Sequence, residues 1–216
     1  DETWNSEDVI KYSMYNVYPT FFKGYNSSWG RADWFAETNI ADWNDDNAQE
    51  VATFFTKNVP TATTAATQWN FDQIHTVNTY LDKLSRSTIL DEPKRHWTGV
   101  NRFLRAVEYA KLVSNFGDVP YYQQPIAPTD KATLYRAFSP RLEVMDSVLS
   151  DMKYAMENVR LTDGEKGLNI TRDLVYAYAS RIFLFEGTWQ KYHNPQNTEV
   201  AAKYLQVAKD AADYVL

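Results

Sequence analysis

Cysteine is missing from this 216-residue chain, which excludes a disulfide framework, a thiolate nucleophile and any zinc site built on sulfur. Histidine is scarce. His75, His96 and His193 stand far apart with no further ligand at metal-site spacing, so each reads as a surface or packing residue. No apolar run approaches the roughly 18 residues of a membrane span. The opening Asp1-Glu2-Thr3 lacks the basic start and apolar stretch of a signal peptide, so the protein is expected to be cytosolic or to have lost an export signal. Positive charge is in deficit: the net charge is -6, with pI ≈ 5.1. That argues against nucleic-acid or anionic-membrane partners, which need a concentrated basic patch. The G-x-S-x-G, P-loop, G-x-G-x-x-G and H-E-x-x-H patterns are all absent, and with them the chemistries those motifs carry.

What is present is enough apolar material for one sizeable core, 44% hydrophobic against 23% charged, with an unusual aromatic share of 15%. Such rings serve as core fillers or as flat faces for ligands. In the stretch KRHWTGVNRFLRAVEYAKLVSNFGDVPYY, residues 94–122, the positions Trp97, Val100, Phe103, Leu104, Val107, Ala110, Leu112, Val113 and Phe116 recur at three- and four-residue steps. That is the pattern of a helix buried over a wide face. Gly117 suits the position past its end, and Pro120 forbids continuation. Arg102 and Arg105 are expected to pair with carboxylates of neighbouring helices, and Asp118 to accept backbone N–H groups of its own turn.

Five further stripes complete the pattern. One runs from a Ser6 cap through Val9, Ile10, Met14, Val17 and Tyr18 and ends before Pro19; a second spans Trp69 to Leu84. A third, Leu142 to Met156, follows Ser139 as N-cap with Pro140 at the first helical position. The fourth, Leu174 to Phe185, opens at Thr171 and closes at Gly187, and the last carries Val200 to Val215. Small Ala residues fall at close-approach positions between aromatics. The predicted fold class is all-α: a divergent tetratricopeptide-like helical repeat superhelix over residues 69–216, preceded over 1–68 by a helix and a long aromatic-rich loop region. No strict 34-residue period holds, because the helix starts are unevenly spaced.

Two wordings, RFLRAVEYAKLVSNFGDVPYYQQPI and WNFDQIHTVNTYL, resemble the SusD/RagB family of outer-membrane nutrient-binding lipoproteins. The resemblance implies a chain that is part of a longer protein, whose signal peptide and lipidated Cys are not in this sequence. It further implies non-catalytic binding of a glycan at the cell surface and delivery to a partner TonB-dependent outer-membrane transporter. No cofactor, nucleic acid or catalytic residue is implied, and contact with the membrane would run only through the lipid anchor. Asp46-Asn47-Ala48 is similar to a segment that many family members carry.

The candidate ligand-binding residues lie in the aperiodic stretch before Thr67. There Trp43, Phe54 and Phe55 flank Asp45, Asp46 and Asn47, rings for the C–H faces of sugars beside side chains that exchange hydrogen bonds with hydroxyls. Other readings of this stretch remain open. Asp42, Asn44 and Asp46 fit positions one, three and five of a calcium loop, yet position twelve is Thr53 and not Glu. Asp42, Asp45, Asp46 and Glu50 could supply a glycosidase pair, although an all-helical toroid enzyme needs about twice the helices seen here at ordinary helix lengths. A helical scaffold that binds only a protein partner is the main alternative. If Trp43 stacks on sugar, Trp43→Ala in the intact protein weakens glycan binding by about 1 kcal/mol or more, with the melting midpoint nearly unchanged. If it is a buried anchor, the same change costs roughly 3–5 kcal/mol of stability. Calorimetric titration beside melting curves separates the two, and unchanged affinity in a folded variant removes Trp43 from the site.

Overall fold

The computed structural model describes residues 2–21, 69–164 and 167–216. The chain divides into two compact units, one of Asp1–Asn5 with Phe71–Leu216 and the other of Ser6–Asn70. The regular elements among the described residues are a short 3-10 helix at Glu2–Asn5 and α-helices, with a single antiparallel bridge between Val119 and Ser139 as the β-pairing among them.

In the smaller unit, α1 spans Glu7–Phe21, with Glu7 and Asp8 in its first turn, where negative charge suits the helix dipole. Ile10, Met14, Val17, Tyr18 and Phe21 form its buried stripe. Expected to end before Pro19, the helix instead carries Pro19 inside its last turn. The missing N–H forfeits one bond there, and the burial of Phe21 one turn beyond Val17 and Tyr18 keeps the chain helical.

The larger unit holds α2 (Asp72–Arg86), α3 (Asp91–Phe116), a one-turn α4 (Lys131–Leu134), α5 (Arg141–Asn158), α6 (Arg172–His193) and α7 (Thr198–Val215). Side-chain bonds at both ends show that α3 and α5 run antiparallel. Asp118, just past α3, accepts the Arg141 N–H at the start of α5, while His96, near the start of α3, accepts the Arg160 N–H just past the end of α5. Asp118 therefore caps a helix 23 residues away, not its own turn. Ser139, expected as the N-cap of α5, is spent in the bridge to Val119, and the helix begins at Arg141. The first residues join this unit too: Trp4 is buried against Tyr80, ring centroids 4.8 Å apart, and Ser87 Oγ donates to the Trp4 carbonyl at 2.5 Å.

The central helix is α3, whose Trp97, Val100, Phe103, Leu104 and Tyr109 are essentially inaccessible, in accord with its wide apolar face. Gly117 ends it with φ at 77°, a conformation that glycine adopts without a Cβ penalty. Two other glycines are contact points. A Cβ on Gly99 would stand 2.9 Å from Val159 Cγ2. At Gly187 a Cβ would meet Leu205 Cγ at 2.7 Å and its backbone nitrogen at 3.0 Å. This explains why α6 does not close at Gly187 but continues to His193: the glycine marks where α6 and α7 touch. Ala179, Ala201, Ala208 and Ala211 are buried on the same pair of helices.

Gly187→Ala gains about 1 kcal/mol of helix propensity but forces an overpacking that costs typically 1–3 kcal/mol. A net loss of stability is expected in urea melts, with Leu205→Ala in the same chain recovering part of it. A variant more stable than wild type would show that α6 and α7 part easily here.

Candidate functional site

Trp43, Asp45, Asp46, Asn47, Phe54 and Phe55 lie outside the described residues. Among those described, the chain concentrates polar chemistry at the connection that follows α3. Three buried side chains converge on it from within. Arg105 of α3 donates from Nε to Asp151 Oδ2 at 2.7 Å and from Nη2 to Asp151 Oδ1 at 2.8 Å, a bidentate pair with α5. Its Nη1 reaches Asn78 Oδ1 of α2 at 2.9 Å and the Gln123 carbonyl at 3.0 Å. Asn78 Nδ2 donates to the Tyr122 carbonyl at 3.0 Å. The Tyr109 hydroxyl accepts the Tyr122 N–H at 2.6 Å and lies 3.2 Å from the Tyr122 carbonyl. Arg102 adds a second guanidinium to Asp151, at 2.7 Å. The expected pairing of Arg102 and Arg105 with a neighbouring helix is thus met by Asp151.

Electrostatics explain why these groups tolerate burial. Burial works against the charge of Arg105, and the paired Asp151 carboxylate outweighs it, so the guanidinium pKa lies above its ordinary value. Burial pushes the hydroxyls of Tyr109, Tyr121 and Tyr122 up from theirs, and these groups stay neutral donors and acceptors across the physiological range.

With the backbone of residues 122–124 fixed from inside, its outer face forms one wall of a cavity of about 240 Å³. Tyr122, Gln123, Gln124, Pro125 and Ile126 supply that wall; Asp130, Thr133 and Arg136 supply the other. The second wall is also held. Asp130 accepts the Thr133 N–H at 3.1 Å and its hydroxyl at 2.6 Å, and these bonds hold the carboxyl below its usual range. Arg136 Nη1 donates to the Tyr121 carbonyl at 2.8 Å, and the Tyr122 hydroxyl to the Leu134 carbonyl at 3.2 Å. Tyr135 and Phe138, 83% and 60% exposed, stand in the same segment. Periodicity could not have found this cavity, since residues 123–138 have none. The available signal was compositional, paired amides and prolines directly after a Tyr-Tyr run.

The family model described as starch-binding associating with outer membrane matches residues 2–184. The chain belongs to the SusD-like family. A comparison with curated proteins gave no match. Among solved structures, a SusD-like protein from Bacteroides fragilis is 22% identical with a TM-score of 0.67, over 98% of this chain and 39% of its own. A SusD-like carbohydrate-binding protein from the same organism is 18% identical with a TM-score of 0.69, over 97% and 41%. A laminarin-binding SusD-like protein is 22% identical with a TM-score of 0.53, over 69% and 31%. These likenesses establish the all-helical SusD-like fold. The chain spans about two fifths of the length of the first two of these relatives.

A buried phenol has consequences at high pH. The raised pKa of Tyr109 means that its contribution to stability is complete below the unfolded value of about 10 and is lost as pH rises past it. Tyr109→Phe should therefore soften the alkaline fall in melting temperature. It should also lower stability at pH 7 by about 1–3 kcal/mol, because the Tyr122 N–H loses its acceptor. Faster hydrogen exchange at the Tyr122 amide would accompany it; an unchanged exchange rate would show that the tether does not hold the cavity wall.

Proposed function

We propose that this protein binds oligo- or polysaccharide without cleaving it and passes the glycan to a TonB-dependent outer-membrane transporter. The observation that carries the reading is the SusD-like family match over residues 2–184. The carbohydrate-binding and laminarin-binding relatives point to the same ligand class. Four carboxylates among the described residues serve the scaffold. Asp151 and Glu186 are buried in bidentate pairs with Arg105 and Arg141, and Asp118 and Asp130 are engaged by backbone N–H groups. Association with the outer membrane through a lipid anchor at the cell surface is part of the same proposal, and it follows from the family match. The aromatic segment around Trp43, Asp45, Asp46, Asn47, Phe54 and Phe55 is the proposed stacking site for the glycan.

The transporter partner needs a surface of its own. Phe185 and Tyr192 of α6 are 50% and 71% exposed, and seven residues apart they share one helix face. Exposed rings on a helical repeat suit a protein partner.

The test is retention of the protein on immobilised polysaccharides, with reducing ends assayed after incubation. Retention without new reducing ends is expected, together with co-elution of a detergent-solubilised TonB-dependent transporter. Release of reducing ends would overturn the non-catalytic reading, and failure to retain any polysaccharide would overturn the glycan reading.

A further inference from the structure

We propose that the cavity between the Tyr122–Ile126 run and α4 is a subsite for one neutral sugar ring, built from residues other than the Trp43 segment. The inference rests on the glycan-binding reading above and adds a place and a ligand class to it.

Size comes first. At about 240 Å³ the cavity lies below the usual range for drug-sized ligands, which leaves room for a single ring and not for a chain. Charge comes next. Among the described residues the lining carries one carboxylate, Asp130, and one guanidinium, Arg136, which together have a formal charge of zero in a chain of net charge -6. Among these lining residues the one group that would offset the desolvation of a uronate or sulfate is a guanidinium already shared with the Tyr121 carbonyl.

The hydrogen-bonding inventory suits hydroxyl groups, each of which both donates and accepts. Arg136 retains N–H donors beyond the one given to Tyr121. Gln124 presents an amide with both functions. The Tyr122 hydroxyl donates to Leu134 and keeps its lone pairs for a ligand, as does the Asp130 carboxylate beyond its bonds to Thr133. Half-buried Pro125 and Ile126 add apolar surface of the kind that sugar C–H groups cover. Preorganisation completes the case. Binding by a mobile loop incurs an ordering cost, whereas this wall is already held by Asn78, Arg105 and Tyr109 from beneath. Asn78, Arg105 and Tyr109 each give a hydrogen bond to the backbone of residue 122 or 123, so the wall is set before any ligand arrives.

Titration calorimetry of the protein with laminarihexaose, maltohexaose and hexagalacturonate tests this against two variants. Arg136→Ala removes the guanidinium. Gln124→Ala removes an exposed side chain on which the fold does not rely, so it decides the matter if Arg136→Ala lowers the melting midpoint. Each variant is expected to weaken binding of a neutral hexasaccharide roughly tenfold, about 1.4 kcal/mol, with hexagalacturonate bound more weakly than the neutral chains by wild type. Equal affinity of wild type and both folded variants would overturn the subsite and leave the glycan-binding reading standing. Tighter binding of hexagalacturonate would overturn the neutral class. Binding of neither neutral chain by wild type would overturn subsite and reading together.

Discussion

A guanidinium keeps its proton at any pH a protein meets, so placing Arg105 in the middle of α3 obliges the chain to surround a permanent charge with acceptors. It does so with one residue from each neighbour: Asp151 of α5, Asn78 of α2 and the carbonyl of Gln123 in the connection. Removing any one of them would leave part of a buried charge unpaired, which is the costly outcome for such networks. The relative placement of α2, α3, α5 and the connection is thereby specified by one side chain. Apolar packing alone would tolerate a slide of a turn along the helix; a bidentate carboxylate would not.

The device recurs one helix further on. Arg141 at the start of α5 pairs with Glu186 of α6, Nη2 to Oε2 at 2.6 Å, and donates to the Val113 carbonyl of α3 at 3.2 Å. Its guanidinium lies 3.8 Å from the ring centroid of Trp189, and Gln190 donates to the other Glu186 oxygen at 2.8 Å. The pairs α3–α5 and α5–α6 are thus each registered by a buried arginine–carboxylate pair, while close approach is set by glycine, Gly99 for α3 and the residues after α5, Gly187 for α6 and α7. The repeat is divergent in sequence yet solves the same problem twice by the same means.

How much of this is legible in the sequence depends on how local each cause is. Three- and four-residue apolar spacing is local, and it locates the six long helices among the described residues. Helix ends are set by competition between local and distant groups. Pro19 and Gly187 look like stop signals, but the burial of Phe21 and the approach of Leu205 overrule them. Asp118 reads as a turn residue because the helix it caps begins 23 residues later. The one-turn α4 lies in a stretch with no periodicity and depends on the Asp130–Thr133 bonds. Residues 43–55 stand out in the sequence by composition and lie outside the described structure. The Tyr122–Arg136 cavity is the converse case: its walls are fixed by Asn78 and Arg105, which no spacing rule connects to residue 123.

The division between scaffold and connection also bears on how such a fold can vary its ligand. Buried positions such as Arg105, Asp151 and Tyr109 contact one another and the loop backbone, so substitution there disturbs several helices at once. Side chains that face the cavity from the first wall make few such contacts: Gln124 and Ile126 follow a backbone held by groups beneath it. Their identities can change without altering the tethers, because the tethers grip carbonyls and an N–H that every residue except proline possesses. A recognition surface built this way separates the chemistry that selects a ligand from the chemistry that keeps its geometry, and the separation follows from the choice of backbone groups as the anchored atoms.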